Sequence, residues 1–311
     1  MSALAPAPRT RDVLPLWTGT APGSEGVALE RRITERSAQA FWPDRIVTGI
    51  TRPEMTAFMP DRPNGAAVLV VPGGGYSRIV LDKEAGEMAL WLNGLGVAAF
   101  VLEYRLPGEG HADRAAVPLQ DAQRALRLLR AGAPAWGLDP ARVGFLGCSA
   151  GGHMGALLAT CPDRTVYAPR DAADALSARP DFEILLYPVI SMADGLAHDG
   201  SRECLLGPAP SAEEKIRWSA ERLVGPDVPP SFLVAARDDA TVPVENTLHY
   251  AAALQHHGIA GELHVFDAGG HGFGIRDARQ LPVSAWPRLA AAWLDSCGVL
   301  EGRGKGKASF S

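Results

Sequence analysis

Cysteine is scarce in this chain of 311 residues: Cys148, Cys161, Cys204 and Cys297 form no C-x-x-C pair and show no metal-ligand spacing. That argues against a disulfide framework or a thiolate metal site, and for free thiols in a reducing compartment. Long apolar runs are missing too. No stretch approaches a membrane span, and Met1 to Arg11, rich in Ala and Pro, holds no run of signal-peptide length. A cytoplasmic protein is the expectation, with export by an unrecognised route left open. Charge of one sign is not in excess either: the formal net charge of −5 gives no footprint for nucleic acid or an anionic membrane as partner. There is no internal repeat. His249, His256 and His257 lack a carboxylate at metal-ligand spacing and read as a solvated helix face. No metal site is expected from these spacings.

What is present is an alternation. With 47% apolar and 21% charged residues, the chain is of ordinary globular composition and long enough to bury a sizeable core. Residues 1–12 read as a flexible lead-in and 299–311 as a disordered tail, leaving 13–298 as one domain. Arg45 to Thr51 and Glu54 to Met59 read as two short strands parted by Arg52-Pro53, an antiparallel leading edge. From Ala66 to Val71 the run is wholly apolar, as for a strand buried on both faces. A helix follows over Asp82 to Asn93, a strand over Val97 to Leu102, a helix from Pro118 and a strand over Val143 to Leu146. Phe182 to Tyr187, Phe232 to Ala236 and Glu262 to Phe266 continue the strands, with helices over Val244 to His257 and Val283 to Leu294. Between them, 191–229 reads as an insertion. Strands alternating with helices predict an α/β fold, a mostly parallel central sheet with helices on both faces.

The strand ending at Leu146 runs into Gly147-Cys148-Ser149-Ala150-Gly151. This is the G-x-S-x-G turn, so tight that the serine takes strained backbone angles and its neighbours two residues away must be nearly free of side chain. Such a turn lifts the Ser149 hydroxyl above the sheet edge and aims the Ala150 N–H at any developing oxyanion. A serine hydroxyl needs a base, and the base an orienting carboxylate. Both lie in the loops after the next-to-last and last strands: Arg237-Asp238-Asp239-Ala240-Thr241-Val242-Pro243, then Gly269-Gly270-His271-Gly272. The three loops open at the same, C-terminal edge of a parallel sheet, where such sheets bind ligands. Asp239 has the D-x-x-V-P spacing and is the preferred acid. Asp238, nearer the strand end, is the alternative, or else a cap binding backbone N–H groups. Pro72-Gly73-Gly74-Gly75-Tyr76, after the first buried strand, offers Gly73, Gly74 and Gly75 as further oxyanion donors. No Gly-Lys-Ser/Thr follows it, which counts against a phosphate cradle. His153 reads as a packing residue rather than a base.

On these residues the chain resembles the acetylxylan-esterase-like carbohydrate esterases, a branch of the α/β-hydrolases associated with xylanases. The resemblance covers residues 14–297 and joins Leu16-Trp17 with Ala21-Pro22-Gly23, Val71 to Ser77, Tyr104-Arg105-Leu106-Pro107 and Gly147 to His153. It continues through His198-Asp199-Gly200-Ser201, Leu205-Leu206-Gly207, Asp238 to Pro243 and Gly269 to Gly274. Proline at 72 departs from the HGGG form of lipases, which alters how the loop is tethered. The resemblance implies deacylation through an acyl-serine, without metal or cofactor, on acetylated xylo-oligosaccharides or similar small acetyl esters. Tyr76, and His198 with Trp218 in the insertion, are the candidates for a substrate pocket. The rivals are an amide hydrolase of formamidase or peptidase type and a non-catalytic ligand-binding relative. The chain has no room for a propeller gate, which counts against a peptidase, and retention of all three triad residues counts against the binding protein.

Overall fold

The computed structural model describes residues 7–302. Positions 1–6 of the expected lead-in and 303–311 of the expected tail lie outside them. The strands in chain order are β1 (Val13–Pro15), β2 (Arg32–Glu35), β3 (Arg45–Thr48), β4 (Glu54–Phe58), β5 (Ala67–Val71) and β6 (Ile79–Val80). They continue as β7 (Ala98–Glu103), β8 (Val143–Cys148), β9 (Glu183–Leu186), β10 (Ser231–Ala236) and β11 (Gly261–Phe266). Eight of them form one sheet in the order β1-β4-β7-β5-β8-β9-β10-β11. From β7 to β11 every pairing is parallel, whereas β4 joins β7 and β1 antiparallel. Hydrogen bonding along this edge reaches back into the lead-in, since Arg11 N–H donates to Ala57 O (2.7 Å).

One pairing departs from the sequence expectation. β3 does not pair with β4: it lies in a separate three-stranded sheet between β2 and β6. Its partner β2 is Arg-Ile-Thr-Glu, exposed at all four positions, so no buried alternation marks it as a strand.

The wholly buried strands explain themselves by their period of two. In β5, Ala67, Leu69 and Val71 face one core, while Val68 and Val70 face the other. The first core is closed by α2 (Val117–Gly132), α3 (Ala150–Thr160) and, beyond α4 (Asp199–Leu206) and α5 (Ala212–Arg217), by α6 (Glu245–His256). The second is closed by α1 (Glu87–Gly94) and α7 (Trp286–Ser296), which bring Met88, Leu92, Trp286 and Trp293. At about 25 cal/mol per Å², each such tryptophan contributes several kcal/mol of burial. Helices on both faces leave only the strand ends open to solvent, which fixes where chemistry can sit.

The Tyr104-Arg105 motif serves the packing. Arg105 is fully buried, ion-paired to Asp121 at 2.7 Å, and donates to Ser24 Oγ (2.8 Å) and Gln120 Oε1 (3.0 Å). Trp17 Nε1 donates to the same Asp121 carboxylate (2.9 Å), so the N-terminal segment is pinned by charge-assisted bonds that leave no donor stranded. Among the described residues, no helix is long and apolar enough to cross a membrane.

Candidate active site

The turn between β8 and α3 places Ser149 at φ 53° and ψ −118°, a region that costs a non-glycine residue about 1–3 kcal/mol. Close contacts hold it there. A Cβ at Gly147 would lie 2.6 Å from Gly151 O, and one at Gly151 only 2.0 Å from Val71 O. Only glycine fits either place.

Three loops then converge. His271 Nε2 lies 2.9 Å from Ser149 Oγ and His271 Nδ1 2.7 Å from Asp239 Oδ2. A carboxylate accepts, so the hydrogen sits on Nδ1 and Nε2 is left to accept from the serine hydroxyl. The side chain of Asp239 is 2% exposed, and its other oxygen takes the N–H groups of Thr241 (2.8 Å) and Val242 (2.9 Å). That is the physical content of the D-x-x-V-P spacing. Asp238 faces the histidine loop instead, its Oδ1 accepting from Gly269 (2.9 Å) and Gly270 (2.8 Å). The structure therefore brings Asp239 to the histidine and gives Asp238 the capping position.

The glycine loop differs in one donor. Gly73 N–H is already given to Glu84 Oε2 (2.8 Å), so it cannot also serve an oxyanion. Gly74 (φ 133°) and Gly75 (φ 64°) adopt backbone that favours glycine, and their N–H groups have no partner among the described residues. With proline at 72, the tether is Tyr104 OH donating to Pro72 O (3.1 Å) together with Glu84 on Gly73. Glu84 is a functional candidate that sequence reasoning missed. It is 3% exposed and also accepts from Tyr187 OH (3.1 Å). Tyr187 has φ 39° and packs its ring 5.0 Å from that of His271, so this carboxylate links the glycine loop to the histidine side of the site. A wide helical turn over Asp82–Gly86 carries it, with Gly86 N–H reaching back five residues to Leu81 O (3.2 Å). Such widened turns recur at functional sites.

The pocket candidates divide. His198 lines the 380 Å³ cleft at Ser149 and caps α4, its Nδ1 accepting from Ser201 N (3.2 Å). Burial, with His271 nearby, pushes its pKa below the ordinary value. Tyr76 and Trp218 do not line that cleft: they are 1% and 5% exposed. Both bind His153, which accepts from Tyr76 OH at Nδ1 (2.7 Å) and donates from Nε2 to Trp218 O (2.7 Å). Burial drives the His153 pKa down to about 4, so this neutral imidazole ties the glycine loop to the 191–229 segment. Larger hollows of 670 and 720 Å³ lie elsewhere; neither is lined by a nucleophile paired with a base.

The strand order, the elbow and the three converging loops define an α/β-hydrolase with a serine, histidine and aspartate in hydrogen-bonding series. The chain belongs to the BD-FAE family, whose model matches residues 57–254. It is similar to an acetylxylan esterase of Xylanibacter ruminicola, 36% identical over 226 residues that make up 71% of this chain and 44% of that protein. It is also similar to endo-1,4-beta-xylanase B of Butyrivibrio fibrisolvens, 35% identical over 67% of this chain and 32% of that one. The chain thus spans less than half the length of either curated relative. Among solved structures, an acetyl ester-xyloside bifunctional hydrolase from Caldicellulosiruptor lactoaceticus superposes with a TM-score of 0.76 at 35% identity, covering 96% of this chain and 99% of that one. A carboxylesterase from Lactobacillus plantarum WCFS1 gives 0.66 at 25% identity, covering 89% and 100%.

Proposed function

We propose that the chain is a serine carboxylesterase that removes acetyl groups from small carbohydrate esters of the acetylated xylo-oligosaccharide type. The observation that carries this reading is the unbroken series Asp239–His271–Ser149, at 2.7 and 2.9 Å, opening into a cleft that also holds Gly74 and Gly75. The substrate class is supported by the acetylxylan esterase and the acetyl ester-xyloside hydrolase that the chain resembles.

In this mechanism Ser149 Oγ attacks the ester carbonyl while His271 Nε2 takes its proton. The carbonyl oxygen gains the negative charge, and the N–H groups of Gly74, Gly75 and Ala150 stabilise it. Each such donor is worth about 10²–10³ in rate. His271 then gives the proton to the departing sugar oxygen, leaving acetyl-Ser149. Water, deprotonated by the same imidazole, attacks the acyl carbon and releases acetate. Asp239 orients the ring and balances the imidazolium. His198 shapes the sugar or acyl side of the cleft from the 191–229 segment. The place of the reaction is the cytoplasm on this reading, supported by four thiols that are all free.

The test is acetate release from acetylated xylo-oligosaccharides beside 4-nitrophenyl acetate, with Ser149→Ala as control. Release from both that vanishes in Ser149→Ala is the expected result. Cleavage of the nitrophenyl ester alone would keep the serine esterase and remove the sugar.

A further inference from the structure

Cations withdrawn from water in this chain are mostly matched by carboxylates. Arg105 has Asp121 at 2.7 Å, Arg124 has Asp171 and Asp174 at 2.6 and 3.0 Å, and Arg130 has Asp181 at 2.9 Å. The cleft at Ser149 breaks the pattern at one position. Three cations line it, Arg36, Arg78 and Lys83. Arg36 is held by Asp44 (2.7 Å) and Lys83 by Asp277 (3.1 Å). Arg78 has no carboxylate within ion-pair distance among the described residues. One terminal nitrogen donates to Ser77 Oγ (3.2 Å), and its Nε is buried with no hydrogen-bond partner.

A partly buried arginine whose Nε is stranded leaves a donor that the single bond to Ser77 does not satisfy. Glu84, the carboxylate on the cleft wall, accepts from Gly73 N–H and Tyr187 OH and makes no ion pair with Arg78 among the described residues. The charge of Arg78 acts across the cleft: after burial and His271, it is among the groups that hold His198 below its ordinary range. The same loop also carries the proposed oxyanion donors, since the backbone of Arg78 is packed so closely on Gly74 that a Cβ there would lie 2.1 Å from Arg78 O. The vacant ion-pairing capacity is therefore built into the wall against which an ester would lie.

We infer that Arg78 is an anion subsite of this cleft, taking a carboxylate carried by the substrate, so that acidic esters are preferred over neutral ones. The inference rests on the esterase reading and adds the charge of its substrate. A carboxylate can arrive from either side of the ester. It is a uronic acid unit beside the acetylated sugar, or the free end of a dicarboxylic half-ester on the acyl side. The fork of a guanidinium suits both.

Two pairs of substrates separate the sources: acetylated xylo-oligosaccharides with and without a uronic acid branch, and 4-nitrophenyl hemisuccinate beside 4-nitrophenyl butyrate. In one arm kcat/KM should favour the acidic member by about tenfold, the low end for a hydrogen bond to a charged group. The ratio should shrink as ionic strength rises and fall to about one in Arg78→Gln. A ratio near one in both arms, or a preference that survives in Arg78→Gln, overturns the assignment. Binding of the uronate-bearing oligosaccharide to Ser149→Ala, followed by calorimetry with and without Arg78→Gln, reads the subsite without turnover. Arg78-dependent binding without acetate release by the native chain would sink the esterase reading alone. No Arg78 dependence of binding, together with a hemisuccinate-to-butyrate ratio near one and release intact, would sink the subsite alone.

Discussion

Glu183 sets up a stability that falls with rising pH. It sits in β9 with no exposed surface; Oε1 accepts from Ser231 Oγ (2.8 Å) and Tyr250 OH (3.0 Å), while Oε2 is buried without a partner. Burial, only partly countered by those two bonds, pushes its pKa from 4.5 to about 7. The folded state therefore keeps a proton that the unfolded chain releases. The stabilisation is full below the unfolded value and is lost as pH rises through about 7. Linkage gives a loss of about 2.5 kcal/mol between about pH 5 and about pH 8. His153 acts with the opposite sign. Its pKa is lowered from 6.5 to about 4, so over the same interval it returns about 2 kcal/mol. The native profile is thus nearly flat from these two groups, and only a variant exposes the slopes. Urea unfolding of Glu183→Gln should show an offset of about 1–3 kcal/mol from the stranded amide donors at every pH. Superimposed on it, the variant should gain on the native chain by about 2.5 kcal/mol from about pH 5 to about pH 8. If the two curves run parallel, Glu183 does not hold its proton in the fold, and the burial argument fails.

Asp239→Asn should lower kcat by about 10⁴-fold in steady-state assays with 4-nitrophenyl acetate. Asp238→Asn, whose side-chain oxygen still accepts from Gly269 and Gly270, should cost less than about tenfold; the reverse order would exchange their roles. Glu84→Gln cannot present two acceptor oxygens to Gly73 N–H and Tyr187 OH, so the glycine loop should shift and kcat should drop by about 10²-fold with KM nearly kept. A rise in KM alone, with kcat kept, would count against a positioning role. Gly151→Ala, with its new carbon 2.0 Å from Val71 O, should lose about 3 kcal/mol or more on chemical unfolding, and an unchanged midpoint would show that the elbow is not sterically fixed.

What could be read from the sequence, and what could not, follows from the range of the interactions. A strand buried on both faces is apolar over most of its length, so β5, β7, β8, β9 and β10 announce themselves locally even where β7 and β9 carry a buried glutamate at one end, and the turns that follow them carry glycine, serine, aspartate and histidine for reasons of backbone space. Asp239 was legible because its spacing encodes two short backbone bonds, to Thr241 and Val242. Partnerships across the chain were not legible. β3 reads as a strand, but its neighbours β2 and β6 are set by pairings that no local pattern records. Gly73 is one of three equivalent glycines in the sequence, and only a carboxylate eleven residues on, turned inward by a widened helical turn, removes it from the donors.

Tyr76 and Trp218 show the same limit from the other side. An aromatic next to a catalytic loop looks like a pocket wall, because the sequence gives its position but not its rotamer. Here His153, one turn into α3, has a neutral ring whose acceptor takes the Tyr76 hydroxyl and whose donor takes the Trp218 carbonyl. Burying all three together leaves none of those polar atoms unpaired, which outweighs exposing either aromatic to an open cleft. Beyond Ser149 and His271, the cleft wall is left to glycine backbone, His198, charged side chains and a few small side chains such as Ser77, Val80 and Thr241. The polar and charged groups on that wall can hold a polar ligand by position and charge, which is the chemistry an oligosaccharide ester presents.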